Sequence, residues 1–288
     1  MPDIWSMAAI MAKLALYIGV TGALGLVLIG AVFAGSVAPI RNRMRMQAGG
    51  LAALALVAAM AGFMLRGAAL TGGAGGMIDP EMLGLLWSTP VGDALAYRIA
   101  GSLLMLGGLF VPHVGMWIAL AGGGLALWSF TQIGHVPDAG QLGIRLTLFA
   151  HLLGVSFWFG VLGPLHHLCR HHDHLERAAR LGHLFGQVAS VVVPVLFLAG
   201  LWMVWRVLGD LSMLITSGYG LTLLIKLALV GVVLAFAAAN KLRLVPAMLA
   251  AQPKAADRMA RSVQIETGVI LAILATTATL TSVLTLPT

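Results

Sequence analysis

His151 stands near the middle of an apolar run that extends from Gly143 to Pro164. A neutral imidazole is a good nitrogen ligand for Cu and Zn. In hydrocarbon the same ring costs free energy unless it has a partner. Counting about 1.5 Å per residue from Gly140 places it roughly 16 Å into a bilayer, near the midplane. It reads either as a functional ligand or as a histidine hydrogen-bonded to a neighbouring helix. His135 comes sixteen residues earlier, in the turn Ile-Gly-His-Val-Pro-Asp that ends at Asp138. Gly134 and Pro137 make that turn tight. The two histidines read as successive stations for a metal, one at the mouth and one in the membrane. The plainer reading of His135 is a solvated loop residue.

Methionine adds a second signal. Met7, Met11, Met60, Met64, Met77, Met82, Met203 and Met213 all map to outer loops or outer helix halves, eight of the fifteen in the chain. A thioether is a soft ligand that favours Cu(I) over Zn and the hard cations. Any single Met is equally at home as core filler, so the sidedness of the group carries the inference.

A third cluster lies on the opposite side. His166, His167, Cys169, His171, His172 and His174 put five imidazoles and a thiol within nine residues. If helical, His167, His171 and His174 share one face at i, i+4 and i+7. Such a set suits copper or Zn; the alternative is a solvated basic loop at headgroup level. Arg98, Lys226 and Glu266 are charges inside apolar runs. Arg98 and Lys226 either snorkel outward or hold an anionic group, pairing with Asp93, Asp138 or Asp210. They count mildly against a pore for a bare copper ion. Glu266 is expected to pair with Arg261 or Lys241. Trp158, seven residues past His151, shares its helical face and packs in the core, against the ring or over a cation. No nucleophile elbow, phosphate loop, dinucleotide fingerprint or zinc-protease motif is present, so no catalytic residue is assigned and no enzymatic activity is expected.

The elements that position these residues are membrane helices. Sixty per cent of the chain is hydrophobic and 9% is charged, against about 25% charged in soluble domains. Eight helices are expected, near 8–38, 48–69, 91–111, 114–133, 142–165, 183–205, 219–240 and 262–285. The third is the weakest because it contains Arg98. Helices one and two with their outer loop form residues 1–90, and helices three to eight form 91–288, within one integral membrane domain. The start of the chain lacks the basic segment of a signal peptide, so the first apolar run is expected to be retained. Cys169 is the single cysteine, which excludes an internal disulfide and any paired-cysteine redox motif.

Loop charge sets the orientation. Arg41, Arg43, Arg45, Arg170, Arg177, Arg180, Lys241, Arg243, Lys254, Arg258 and Arg261 fall on one side, eleven in all, against Arg66 and Arg206 on the other. The basic side is read as cytoplasmic, which puts both termini outside. The net charge of +7 reflects that anchoring and not affinity for nucleic acid. A weak repeat is also visible. Thr89-Pro-Val-Gly92 precedes Arg98 as Thr216-Ser-Gly-Tyr-Gly220 precedes Lys226, with 128 residues between the two cations. Two parallel four-helix halves would explain it. The glycines of Ala121-Gly-Gly-Gly124 are expected to serve close helix packing.

Gly134-His135 before a helix with His151 and Phe157-Trp158-Phe-Gly160, then Leu162-Gly-Pro-Leu165, resembles the copper-resistance protein D (CopD) family. So does Tyr219-Gly220-Leu-Thr-Leu-Leu-Ile-Lys226, followed by Ala239-Asn240-Lys-Leu-Arg-Leu-Val-Pro246. The likeness covers about residues 90–250. It implies a polytopic bacterial inner-membrane protein of copper uptake or resistance, served by a periplasmic copper chaperone of the CopC type. It points to His135, His151, Trp158, Tyr219, Lys226 and Asn240. The cluster at 166–174 is not part of it.

The reading favoured by these residues is inward copper transport, as Cu(I) or Cu(II), with Met and His135 collecting, His151 relaying and the 166–174 cluster receiving. A haem b-binding redox protein, similar to the HemJ-type protoporphyrinogen oxidases, is the alternative: Arg98 and Lys226 would hold propionates, but a second deep axial His is missing. A third reading is an assembly subunit that presents copper to a partner.

Overall fold

The computed structural model describes residues 4–134, 142–208 and 212–282. The described residues form helices and turns with no strand. The main helices are α1 (Ile4–Val32), α2 (Arg41–Thr71), α3 (Pro80–Trp87), α4 (Pro90–Gly108), α5 (Gly115–Trp128), α6 (Leu142–Cys169), α7 (Leu175–Leu208), α8 (Gly218–Ala239) and α9 (Ala255–Ser282). Each of the eight expected apolar segments is mainly helical over its described residues. Six helical segments are long and apolar enough to cross a membrane. The other two fall short: α4 carries Asp93 and Arg98, and the segment Gly115–Thr131 is brief. The chain is an all-helical membrane bundle.

Several helices extend past their apolar windows. Arg43 and Arg45 lie on α2, Arg177 and Arg180 on α7, and Arg258 and Arg261 on α9. The basic residues read as loops are thus largely the ends of helices. Helix α3 was not expected. It starts where Asp79 accepts from the backbone N–H of Glu81 and Met82, with Pro80 in the first turn, a combination that favours a helix start.

Helix α1 is the axis of the fold, packing on α2, α5, α6 and α9. Its crossing with α6 is fixed by Gly25 and Gly160: a Cβ on either would run into the other's backbone. The α4–α5 pair uses the same device, with Gly101 against Gly122 and Gly108 against Gly115. Small residues let backbones approach where van der Waals packing must hold helices together in lipid. Glycine in the 121–124 run therefore serves packing, as expected, with Gly122 and Gly123 the packed members.

The two short repeats have the same local build. Thr89 accepts from the N–H of Val91 to start α4, and Ser217 accepts from the N–H of Gly220 to start α8. Gly92 lies against the backbone of Trp87, and Gly220 against that of Met213 and Leu214. In each case a short preceding helix seats the glycine, and a cation follows six residues on.

Helix α8 runs without a break into a wide turn, Asn240–Leu244, and then into Val245–Leu249. The wide turn closes with Val245 N–H donating to the Asn240 carbonyl, five residues back. Pro246 accounts for it, because it supplies no N–H to the turn before it. Single π-type turns of this kind recur at functional sites.

Candidate functional site

Two cavities are stacked inside the bundle. One, of about 260 Å³, is lined by His151 of α6, the cations Lys13, Arg98 and Lys226, and residues of α7, α8 and α9. The other, of about 410 Å³, is lined by Glu266, Asn240, Lys241 and Ser190 among others. Trp158, Val193 and Leu234 line both and form the partition.

In the first cavity, His151 Nδ1 lies 3.1 Å from the carbonyl oxygen of Leu196 on α7. A carbonyl only accepts, so Nδ1 carries the proton and Nε2 keeps its lone pair. Gly200 lies beside the ring; a Cβ there would make ordinary contact with His151 Cε1, at 3.5 Å. His151 thus satisfies both readings made from the sequence. It is anchored to a neighbouring helix, and it lines a cavity with one nitrogen left to ligate. Met203, 8% exposed, lines the same cavity. Among the other outer methionines, Met7, Met11 and Met60 lie exposed on the bundle surface.

The cations come from three helices. Arg98 Nε donates to Ser129 Oγ at 3.1 Å, and its guanidinium lies 5.5 Å from the Phe130 ring centre. Phe130 stacks on Tyr17 at 4.9 Å. Lys13 Nζ donates to the carbonyl of Thr281 at 2.6 Å, and Tyr17 Oη lies 3.3 Å from Thr281 Oγ1. Lys226 has no hydrogen bond or ion pair among the described residues, and its charge is within reach of the His151 ring. Tyr219 lines the cavity as well. The pairings expected for Arg98 with Asp138 or Asp210 involve residues outside those described, as does His135. Gly134, immediately before His135, lines the cavity.

Glu266 does not pair with Arg261 or Lys241, contrary to the sequence expectation. Its carboxylate is 2% exposed. It accepts from Trp158 Nε1 at 2.5 Å and from Asn240 Nδ2 at 2.9 Å, one on each oxygen. Asn240 Oδ1 in turn accepts from Ser262 Oγ at 2.5 Å. Lys241 instead donates to Ser190 Oγ. The two neutral N–H donors come from α6 and from the turn after α8, whereas Lys241 of that turn and Arg261 of α9 make no contact with the carboxylate. Trp158 thus packs in the core with a polar partner at its indole tip, a common demand for a buried indole.

At the far end, His167 and His171 have ring centres 4.1 Å apart, and His171 and His174 lie 6.3 Å apart. The three lie on one side although the segment is not one helix: α6 ends at Cys169 and His171 is extended. His171 Nδ1 donates to the carbonyl of His167 at 2.8 Å. Cys169 faces the other way, 3% exposed in the core, so the thiol does not join the imidazoles. His166 is half-buried and His172 exposed. Among the described residues no three His, Cys, Asp or Glu side chains converge to hold a metal ion.

The sequence reading missed Lys13, Tyr17 and Thr281. Lys13 was findable by the criterion that found Arg98: it is a cation within an apolar helix. Tyr17 and Thr281 carry no such mark, since their role depends on α1 meeting the end of α9.

The chain matches the copper resistance protein D-like N-terminal domain over residues 1–144 and copper resistance protein D over residues 179–280. It belongs to the copper resistance protein D family. No curated protein and no solved structure matches it. The first match takes in residues 1–90, where motif resemblance offered only apolar helices. Membership and six apolar helices together make this a multi-pass membrane protein of copper resistance. In this family member, Trp158 and Asn240 meet on Glu266, while His151 and Lys226 share the other cavity. For the haem alternative, His151 is the only histidine among the described residues that line that cavity.

Proposed function

We propose that the protein carries copper across the bacterial inner membrane, from periplasm to cytoplasm, through ligands that include His151 Nε2 and the Met203 thioether. The supporting observation is the His151 Nδ1–Leu196 carbonyl bond. Anchoring one imidazole nitrogen to a carbonyl orients the other for a metal. A soft sulfur on the same cavity wall favours Cu(I). The proposed arrangement has eight crossings with both termini periplasmic, following the eleven-to-two division of basic residues. Copper would arrive near His135 from a periplasmic chaperone of the CopC type. It would pass His151 and the Trp158 partition, and leave by way of His167 and His171 in the 166–174 segment. An ion crossing a dry bundle needs such intermediate donors in place of its hydration shell.

Copper accumulation in cells expressing His151→Ala tests this. The expected result is at least a tenfold loss of accumulation with normal membrane abundance. Normal accumulation by that variant overturns the relay. A presenting subunit, by contrast, would move no copper into vesicles containing the purified protein alone.

A further inference from the structure

The His151 cavity has an electrostatic character that a bare cation does not fit. Lys13, Arg98 and Lys226 reach it from α1, α4 and α8, and no carboxylate is among its described lining residues. Two of the three are held in place by neutral groups: Lys13 by the Thr281 carbonyl, Arg98 by Ser129 Oγ and the Phe130 ring. Neither arrangement neutralises charge. Arg98 uses Nε for Ser129, so its two terminal nitrogens have no acceptor among the described residues. Lys226 has no hydrogen bond or ion pair there at all. Charges of one sign in a low-dielectric space repel strongly, and cations at this depth ordinarily pair. No described residue supplies that partner, so an anion brought by the ligand would meet charge that the described lining leaves uncompensated.

Resting on the copper reading above, we infer that the cavity accepts copper as an anionic complex, in which halide, thiolate or carboxylate groups surround the metal, and not as the free ion. The negative ligands face Arg98, Lys13 and Lys226. His151 Nε2 adds to the cuprous centre as a further donor, with no bond broken on docking. The cations are then the selectivity element: they exclude free divalent cations and aqueous Cu(I), and they admit copper already wrapped in negative charge. A free anion, or the phosphate of a lipid, could supply the same chemistry without copper, and the test separates these.

The probe is Cu(I) under anaerobic conditions with purified protein stripped of lipid. Retained copper is measured by equilibrium dialysis and elemental analysis, in chloride, where Cu(I) is dichlorocuprate, and in methanesulfonate of equal ionic strength with acetonitrile, where the copper complex is cationic. The expected result is at least tenfold tighter retention in chloride, with that advantage lost in Lys226→Met and in Arg98→Gln and kept in Lys226→Arg. Folding of each variant is checked by its melting curve, and the charge-retaining arginine variant keeps the test valid if Lys226→Met fails to fold. Weaker retention in chloride, or stronger copper binding by Lys226→Met, overturns the inference, since either means the cations merely repel the metal. Chloride or phospholipid bound equally with and without copper also overturns it, by making the anion a resident counter-ion. If copper is retained in neither medium, the copper reading itself fails; if it is retained but weakened by chloride, only this inference does.

Discussion

Trp158 Nε1 donates to Glu266 Oε1 at 2.5 Å, and the indole that makes this bond also separates the two cavities. A carboxylate that is 2% exposed is retained in such a place only with donors on its oxygens. It has two, from α6 and from the turn after α8. The partition is thus held shut by a polar latch in an apolar wall.

Glu266→Leu should be more damaging than Glu266→Gln. Leucine leaves the Trp158 and Asn240 N–H groups buried without an acceptor, at a cost of about 1–3 kcal/mol each. Glutamine keeps one acceptor oxygen and turns its amide toward the other donor. Thermal unfolding of the purified protein, followed by tryptophan fluorescence, should rank the melting temperatures wild type, then glutamine, then leucine. Equal melting temperatures for all three would show that the latch contributes nothing to stability.

Gly200 separates the effect of ring position from that of helix stability. A Cβ at this site would make ordinary contact with His151 Cε1, at 3.5 Å. Gly200→Ala should therefore leave copper accumulation unchanged. It should raise stability slightly, by up to about 1 kcal/mol, because alanine loses less backbone freedom in a helix. Gly200→Val adds two methyl groups on the ring side and should reduce accumulation about as much as His151→Ala. Uptake assays on the two variants at matched membrane abundance check this.

The α1–α6 crossing should be the most sensitive packing position. A Cβ on Gly25 or Gly160 would enter the opposing backbone, which neither helix can yield without moving apart. Gly160→Ala should cost about 1–3 kcal/mol, the range for overpacking. Gly124→Ala, on α5 with open space around it, should not destabilise and should gain up to about 1 kcal/mol, as at Gly200. Detergent melting curves of the two alanine variants give the comparison.

The helices were legible in the sequence because apolar length is a local property. The cation at Arg98 was legible for the same reason. What the sequence could not carry is who meets whom across the bundle. Glu266 invited pairing with Arg261, on its own helix, or with Lys241, at the same end of the bundle. Its actual partners are 108 and 26 residues away and are neutral. Helix packing chose them. His151 was found as a buried ring, but the tautomer that makes it a ligand depends on the carbonyl of Leu196, which no side-chain pattern marks. The histidines at 166–174 showed their number and shared face, while Cys169 was drawn inward by the preference of a thiol for apolar surroundings.

The wide turn at Asn240–Leu244 holds one residue more than an ordinary helical turn would. Removing Asn240 itself would bring Lys241 into its register at the end of α8, turning the Lys241 ammonium toward the place the amide had occupied. A carboxylate now satisfied by neutral donors would then face a formal charge. Relatives of differing length at this point would be distinct electrostatic variants of one scaffold, interconverted by insertion or deletion and not by substitution.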